Sequence, residues 1–87
     1  MTARVVLYTK PGCHLCEDAR AVVEQVCAEL GESFDEVDIT AGADAEALTR
    51  AYGEEIPVTF VDGRKHDFWR VDPGRLRAVL GAPPRPR

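Results

Sequence analysis

Two cysteines three residues apart, Cys13 and Cys16, are the side chains best suited to chemistry in this sequence. They stand in Lys10-Pro11-Gly12-Cys13-His14-Leu15-Cys16-Glu17-Asp18, between an apolar run, Val5-Val6-Leu7-Tyr8, and a long helical pattern. Pro11 and Gly12 end the run and turn the chain. Cys13 then falls at or just before the first turn of a helix, where free N–H groups and the positive end of the helix dipole favour an anion. A thiolate is such an anion, so Cys13 is expected to ionise more readily than a free cysteine. Cys16 lies one turn further on the same side, so the two sulfurs can join and separate with little backbone change. A C-x-x-C at a strand-to-helix junction, in a chain with a β-α-β pattern, reads as a redox dithiol. In that chemistry Cys13 attacks a substrate disulfide and Cys16 resolves the mixed disulfide.

The residues around the pair pull in both directions. Glu17 and Asp18 suit the helix dipole but oppose a thiolate, whereas Lys10 and His14 favour one. Lys10 is either a solvated loop lysine or the group that holds a substrate carboxylate. His14 either tunes the dithiol or is simply exposed. Cys27 falls on the apolar face of the helix and reads as a buried, inert cysteine. Trp69 reads as core or edge packing rather than a substrate platform. A closed zinc site wants four ligands. With three cysteines and two histidines, one in the loop and one far along the chain, such a site is hard to build, and no metal is expected. The alternative to an enzyme is a binding module: an adaptor, or a carrier of iron–sulfur or metal that borrows thiols from elsewhere.

Bulk properties narrow the class. The 87 residues suit one small domain, and 45 % are apolar, enough for a core without disulfide staples. An odd cysteine count fits a catalytic pair plus a spare. The net charge is −4, with both signs mixed along the chain, so neither a nucleic-acid stripe nor a membrane-binding face is expected. The apolar run at residues 5–8 is too short for a signal peptide or a membrane span. The expectation is therefore a cytoplasmic monomer in a thiol-reducing compartment.

The elements that position the pair follow from periodicity and turn chemistry. Residues 4–9 read as a buried strand and 14–30 as a helix, with Ala19, Val22, Val23, Val26, Cys27 and Leu30 on one face and Gly31 at its end. Residues 34–39 read as a second strand, with Val37 and Ile39 on one face. After a loop at 40–43, Asp44 is the expected N-cap of a helix over 45–52, with Leu48, Ala51 and Tyr52 inward and Gly53 stopping it. Residues 59–61 and 64–70 flank Asp62-Gly63 as a hairpin. Asp72 is the expected cap and Pro73 the first residue of a last helix, with Leu76, Val79 and Leu80 inward and Gly81 at its end. The domain is expected to span 1–81, followed by an unstructured Pro/Arg tail at 82–87.

Three stretches together carry a resemblance: Leu7-Tyr8-Thr9-Lys10-Pro11-Gly12-Cys13-His14-Leu15-Cys16, then Ile56-Pro57-Val58, then Phe68-Trp69-Arg70-Val71-Asp72. Over residues 4–80 the chain resembles the small glutaredoxin-like proteins of the thioredoxin fold. The resemblance implies an α/β fold in the order β-α-β-α-β-β-α, with a four-stranded mixed sheet flanked by helices and the hairpin paired to the first strand. It implies a cis peptide before Pro57, facing the cysteines, and a glutaredoxin-like thiol–disulfide oxidoreductase of cell redox homeostasis with no bound cofactor. Its substrate would be a disulfide-containing protein or a small-molecule thiol compound. By the same resemblance Lys10, the backbone of Ile56 and the helix start at Asp72 would meet glutathione. The chain departs from the family pattern at His14-Leu15, where Pro-Tyr is usual, and at Phe68 and Trp69, where paired glycines are usual. Glu55 stands where a threonine is usual. The Glu55 charge and the two aromatic residues are expected to leave glutathione a weak co-substrate.

Overall fold

The computed structural model describes residues 3–81; the expected tail at 82–87 lies outside the described residues. β1 (Val5–Thr9) forms where β-branched and apolar residues run without a break. α1 (His14–Leu30) follows, held by an extended Cys13 at its start and closed by Gly31, whose N–H donates to the Cys27 carbonyl. Then come β2 (Phe34–Asp38), α2 (Ala45–Tyr52), β3 (Val58–Val61), β4 (Arg64–Phe68) and α3 (Pro73–Gly81). The order is β-α-β-α-β-β-α, as expected. The sheet runs β2-β1-β3-β4, with β1 parallel to β2 and antiparallel to β3, and β3 antiparallel to β4.

Strand alternation sorts the core into two faces. Leu7 pairs with Thr59, and Val5 with Val61, so these side chains share one face. Val5, Leu7 and Val61 pack there against Ala19, Val23 and Val26 of α1 and Leu76 and Leu80 of α3. Tyr8 pairs with Val58 and faces the other way. There Tyr8, Tyr52 and Phe60 meet with ring centroids 5.3–5.7 Å apart. At the strand ends Arg4 gathers several elements: Nε and Nη2 bind the Asp62 carboxylate, and Nη1 binds Glu32 and the Leu80 carbonyl.

Several expectations need correction. β1 starts at Val5, one residue late, and β2 stops at Asp38, although the Ile39 N–H still reaches the Thr9 carbonyl at 2.9 Å and Ile39 is buried. Asp44 makes no side-chain cap; only its carbonyl accepts, from Leu48. Ala51 is exposed, so α2 packs on the sheet with Leu48 and Tyr52, is tied to the Ile39 carbonyl by the Thr49 hydroxyl, and buries no residue fully. Leu30 and Val79 are exposed, because each falls at the edge of its helix's apolar stripe. The hairpin turn at Asp62-Gly63 forms with both residues at positive φ, 51° and 80°, the geometry that Asp-Gly tolerates. β4, however, ends at Phe68 rather than 70. Opposite Thr59 and Phe60 it contains a bulge that leaves His66 without a ladder partner.

Candidate functional site

The site begins where β1 stops. Gly12 takes φ 73°, a conformation costly for any residue with a Cβ, and the turn delivers Cys13 as the N-cap of α1. The Cys13 Sγ accepts the Cys16 N–H at 3.1 Å, the role that a serine or aspartate oxygen usually fills. The Cα atoms of the two cysteines are 5.2 Å apart and their sulfurs are joined as a disulfide. Cys16 is only 1 % exposed, whereas Cys13 is half-buried. An incoming sulfur therefore meets Cys13 first.

The second wall comes from the segment before β3. The Ile56–Pro57 bond is cis. Ile56 and Cys16 belong to one buried cluster, with Cys13 packed against it. Pro57, adjoining Ile56, is fully buried. Neither the N–H nor the C=O of Ile56 has a hydrogen-bond partner among the described residues.

The remaining sequence candidates lie around this centre. Lys10 is exposed in the turn and makes no ion pair among the described residues. His14 is exposed, its Nδ1 3.7 Å from the Glu17 carboxylate. Asp72 caps α3: its carboxylate accepts the Arg75 N–H at 3.1 Å. Its own N–H is taken, at 3.3 Å, by the carboxylate of Asp67. Asp67 is also bound to Arg75 Nη1 at 2.9 Å. Cys27 is buried and free, and burial pushes its thiol pKa up, consistent with an inert role. Among the described residues no three His, Cys, Asp or Glu side chains converge as a metal site would need.

Two residues singled out in the sequence have neighbours that the sequence does not announce. The Glu55 carboxylate is ion-paired with Lys65 Nζ, so its charge is largely met from within the chain. The two residues lie ten apart across a bulged hairpin, and no local pattern announces the pair. Of the two packing readings for Trp69, core or edge, the structure agrees with the edge: the residue is 51 % exposed and edge-on to Phe68. It takes φ 62°, a region where a bulky residue is disfavoured by about 1–2 kcal/mol. Its N–H donates to the Pro57 carbonyl at 2.8 Å and its indole Nε1–H to the Glu54 carbonyl at 3.0 Å. Leu15, Ala19 and Val22 of α1, facing Trp69 and Val71, line a shallow cavity of about 160 Å³ beside the cysteine loop.

A family model described as "Glutaredoxin-like domain (DUF836)" matches residues 4–81. The chain belongs to this glutaredoxin-like family. An uncharacterized protein of Mycobacterium tuberculosis is 36 % identical over 90 residues, which cover 93 % of this chain and 91 % of that one. The solved structure of a structural-genomics target from X. campestris is 38 % identical with a TM-score of 0.71, covering 92 % of this chain and 99 % of that chain. A glutaredoxin from Archaeoglobus fulgidus superposes with a TM-score of 0.62 at 16 % identity, over 92 % of this chain and 88 % of that chain; this likeness concerns the fold alone. The glutaredoxin-like fold and the Cys13–Cys16 pair are compatible with thiol redox activity. Among the described residues no helix is long and apolar enough to cross a membrane.

Proposed function

We propose that this protein is a thiol–disulfide oxidoreductase that works as a dithiol. The observation that carries the reading is the placement of Cys13: it is the more accessible sulfur, and it accepts a helix N-terminal N–H. The Cys13 thiolate attacks one sulfur of a substrate disulfide. A bond forms between Cys13 and that sulfur, and the other substrate sulfur leaves as a thiolate and takes a proton. Cys16 then loses its proton and attacks Cys13, releasing the second substrate thiol. Two electrons have passed to the substrate, and the protein is left with its Cys13–Cys16 disulfide. An external thiol reductant returns it to the dithiol. Both electrons reside on the sulfurs, so no bound cofactor is required.

In this reading Pro57 borders the sulfurs, and the backbone of Ile56 pairs with the substrate chain. Lys10 offers a free ammonium to a substrate carboxylate, and Asp72 marks the far end of the groove. The substrate is a disulfide-bearing protein or a small thiol compound, met by a monomer in the reducing cytosol. Glutathione is a weak co-substrate. In the family an anion-binding helix start is available, but here Asp67 already accepts the Asp72 N–H. Trp69 also stands where paired glycines would let a ligand approach.

The test is a pair of variants. Cys13→Ser is expected to abolish reduction of a disulfide substrate, and Cys16→Ser to accumulate a mixed disulfide on Cys13. Alkylation of the reduced protein at neutral pH is expected to label Cys13 first. Faster labelling of Cys16 would reverse the roles. A brown purified protein with stoichiometric metal and no turnover would instead favour the carrier alternative.

A further inference from the structure

Trp69 combines an exposed ring, a left-handed backbone and two donors aimed at one segment. Its main-chain N–H lies 2.8 Å from the Pro57 carbonyl and 3.3 Å from that of Glu55. Its indole N–H lies 3.0 Å from the carbonyl of Glu54. One residue therefore engages three of the four carbonyls of Glu54–Pro57, and the one it leaves is that of Ile56. Ile56 is also the residue of this segment that packs with the cysteines. A bulky side chain persists at positive φ only where its surroundings hold it there, and such outliers point to a role.

We infer that Trp69 is a positioning residue, a clamp that fixes Glu54–Pro57 so that the free N–H and C=O of Ile56 are held ready for a substrate main chain. The inference rests on the dithiol reading and adds a substrate class to it. Substrates with peptide groups flanking the disulfide gain from the clamp, and small disulfides without peptide groups do not. A segment already fixed in its binding geometry loses less freedom on association. The indole N–H is the specific part, since every residue but proline supplies a main-chain N–H.

The experiment compares the wild type with Trp69→Phe, which keeps a ring and loses the indole donor. Trp69→Gly, which relieves the backbone and keeps the main-chain N–H, is a second variant. With an oxidised peptide disulfide as substrate, both variants are expected to raise KM about five-fold, the worth of one hydrogen bond, with kcat held within about two-fold. With bis(2-hydroxyethyl) disulfide the change in kcat/KM is expected to stay below about two-fold. The NMR order parameter of the Ile56 amide is expected to fall in both variants. Equal losses on the two substrates, or an unchanged KM for the peptide, would overturn the inference. A wild type that turns over neither disulfide would overturn the dithiol reading and its substrate class. The clamp itself would still be judged by the Ile56 amide, whose unchanged order would refute it.

Discussion

Asp67→Asn tests why glutathione should bind weakly. Asp67 holds its carboxylate against the start of α3, accepting from Asp72 N and from Arg75 Nη1, and its side chain is only 15 % exposed. With Asp72 and Arg75 it makes a group of two carboxylates and one guanidinium, net −1. Asparagine brings that sum to zero. Its amide oxygen can still accept from Arg75, but its NH₂ cannot accept from Asp72, so a helix N-terminal N–H is freed. For a ligand carboxylate held about 7 Å away, one unit charge at an effective dielectric near 20 is worth about 2.4 kcal/mol. Salt at physiological strength, with a Debye length of about 8 Å, cuts this to about 1 kcal/mol. The expected result is glutathione binding tightened about five-fold at physiological salt, and more at low salt. Replacing a charged acceptor by a neutral one costs the fold about 1 kcal/mol, a drop in Tm of about 4–8 °C. Titration calorimetry at two salt concentrations reads the first effect and thermal unfolding the second. If Tm falls as expected and the glutathione affinity stays within about two-fold of wild type at low salt, Asp67 does not guard the helix start.

Two further outcomes concern buried polar atoms. The Thr59 hydroxyl is fully buried and has no hydrogen-bond partner among the described residues, so Thr59→Val, which removes it at constant shape, should stabilise the protein by about 1 kcal/mol and raise Tm by about 4–8 °C. A fall in Tm would show that the hydroxyl has a partner such as an ordered water. His66 is largely buried, and burial, opposed by Asp67 and Asp72 and aided by Arg75, holds its pKa below the usual histidine value. The unfolded chain then binds a proton more readily than the folded one. His66 should therefore leave stability intact above about pH 6.5 and erode it as the pH falls below that value through the folded pKa. Urea unfolding at about pH 7.5 and about pH 5 should show a steeper acid loss for wild type than for His66→Gln, and equal slopes would refute the assignment.

The closeness of Cys13 and Cys16, α1 and the strand order were legible because each was specified locally or by the family pattern. Pro11-Gly12 and Gly31 bracket α1, and its apolar residues recur at helical spacing, so its observed ends are His14 and Leu30. Asp62-Gly63 fixed the hairpin turn in the same way. The errors fall where tertiary geometry decides. Asp44 has the right side chain for a cap, but its backbone enters α2 at φ −95° and ψ 6°, not extended, and no side-chain cap forms. Ala51 and Val79 match a helical period, yet the period does not reveal how wide a stripe the sheet will cover. The partner of Glu55 was invisible because Lys65 reaches it only across the folded hairpin.

One extra residue in β4 accounts for much of the site's character. Side chains alternate along a strand, so an unpaired residue at His66 resets which face each neighbour occupies. Lys65, opposite Phe60, shares the α2 face with Phe68, where its ammonium lies 5.2 Å from the Phe68 ring and reaches Glu55. Asp67, opposite Thr59, shares the other face with α3 and meets Arg75 and the Asp72 N–H. A regular ladder would place Lys65 opposite Val61, on the α3 face with Asp67, and Glu55 would lose its cation. The bulge thus does two things at once: it gives Glu55, the neighbour of Ile56, an ion-pair partner and supplies the helix start with its own carboxylate. What stays without a hydrogen-bond partner among the described residues, in the segment that packs with Cys16, is the peptide group of Ile56.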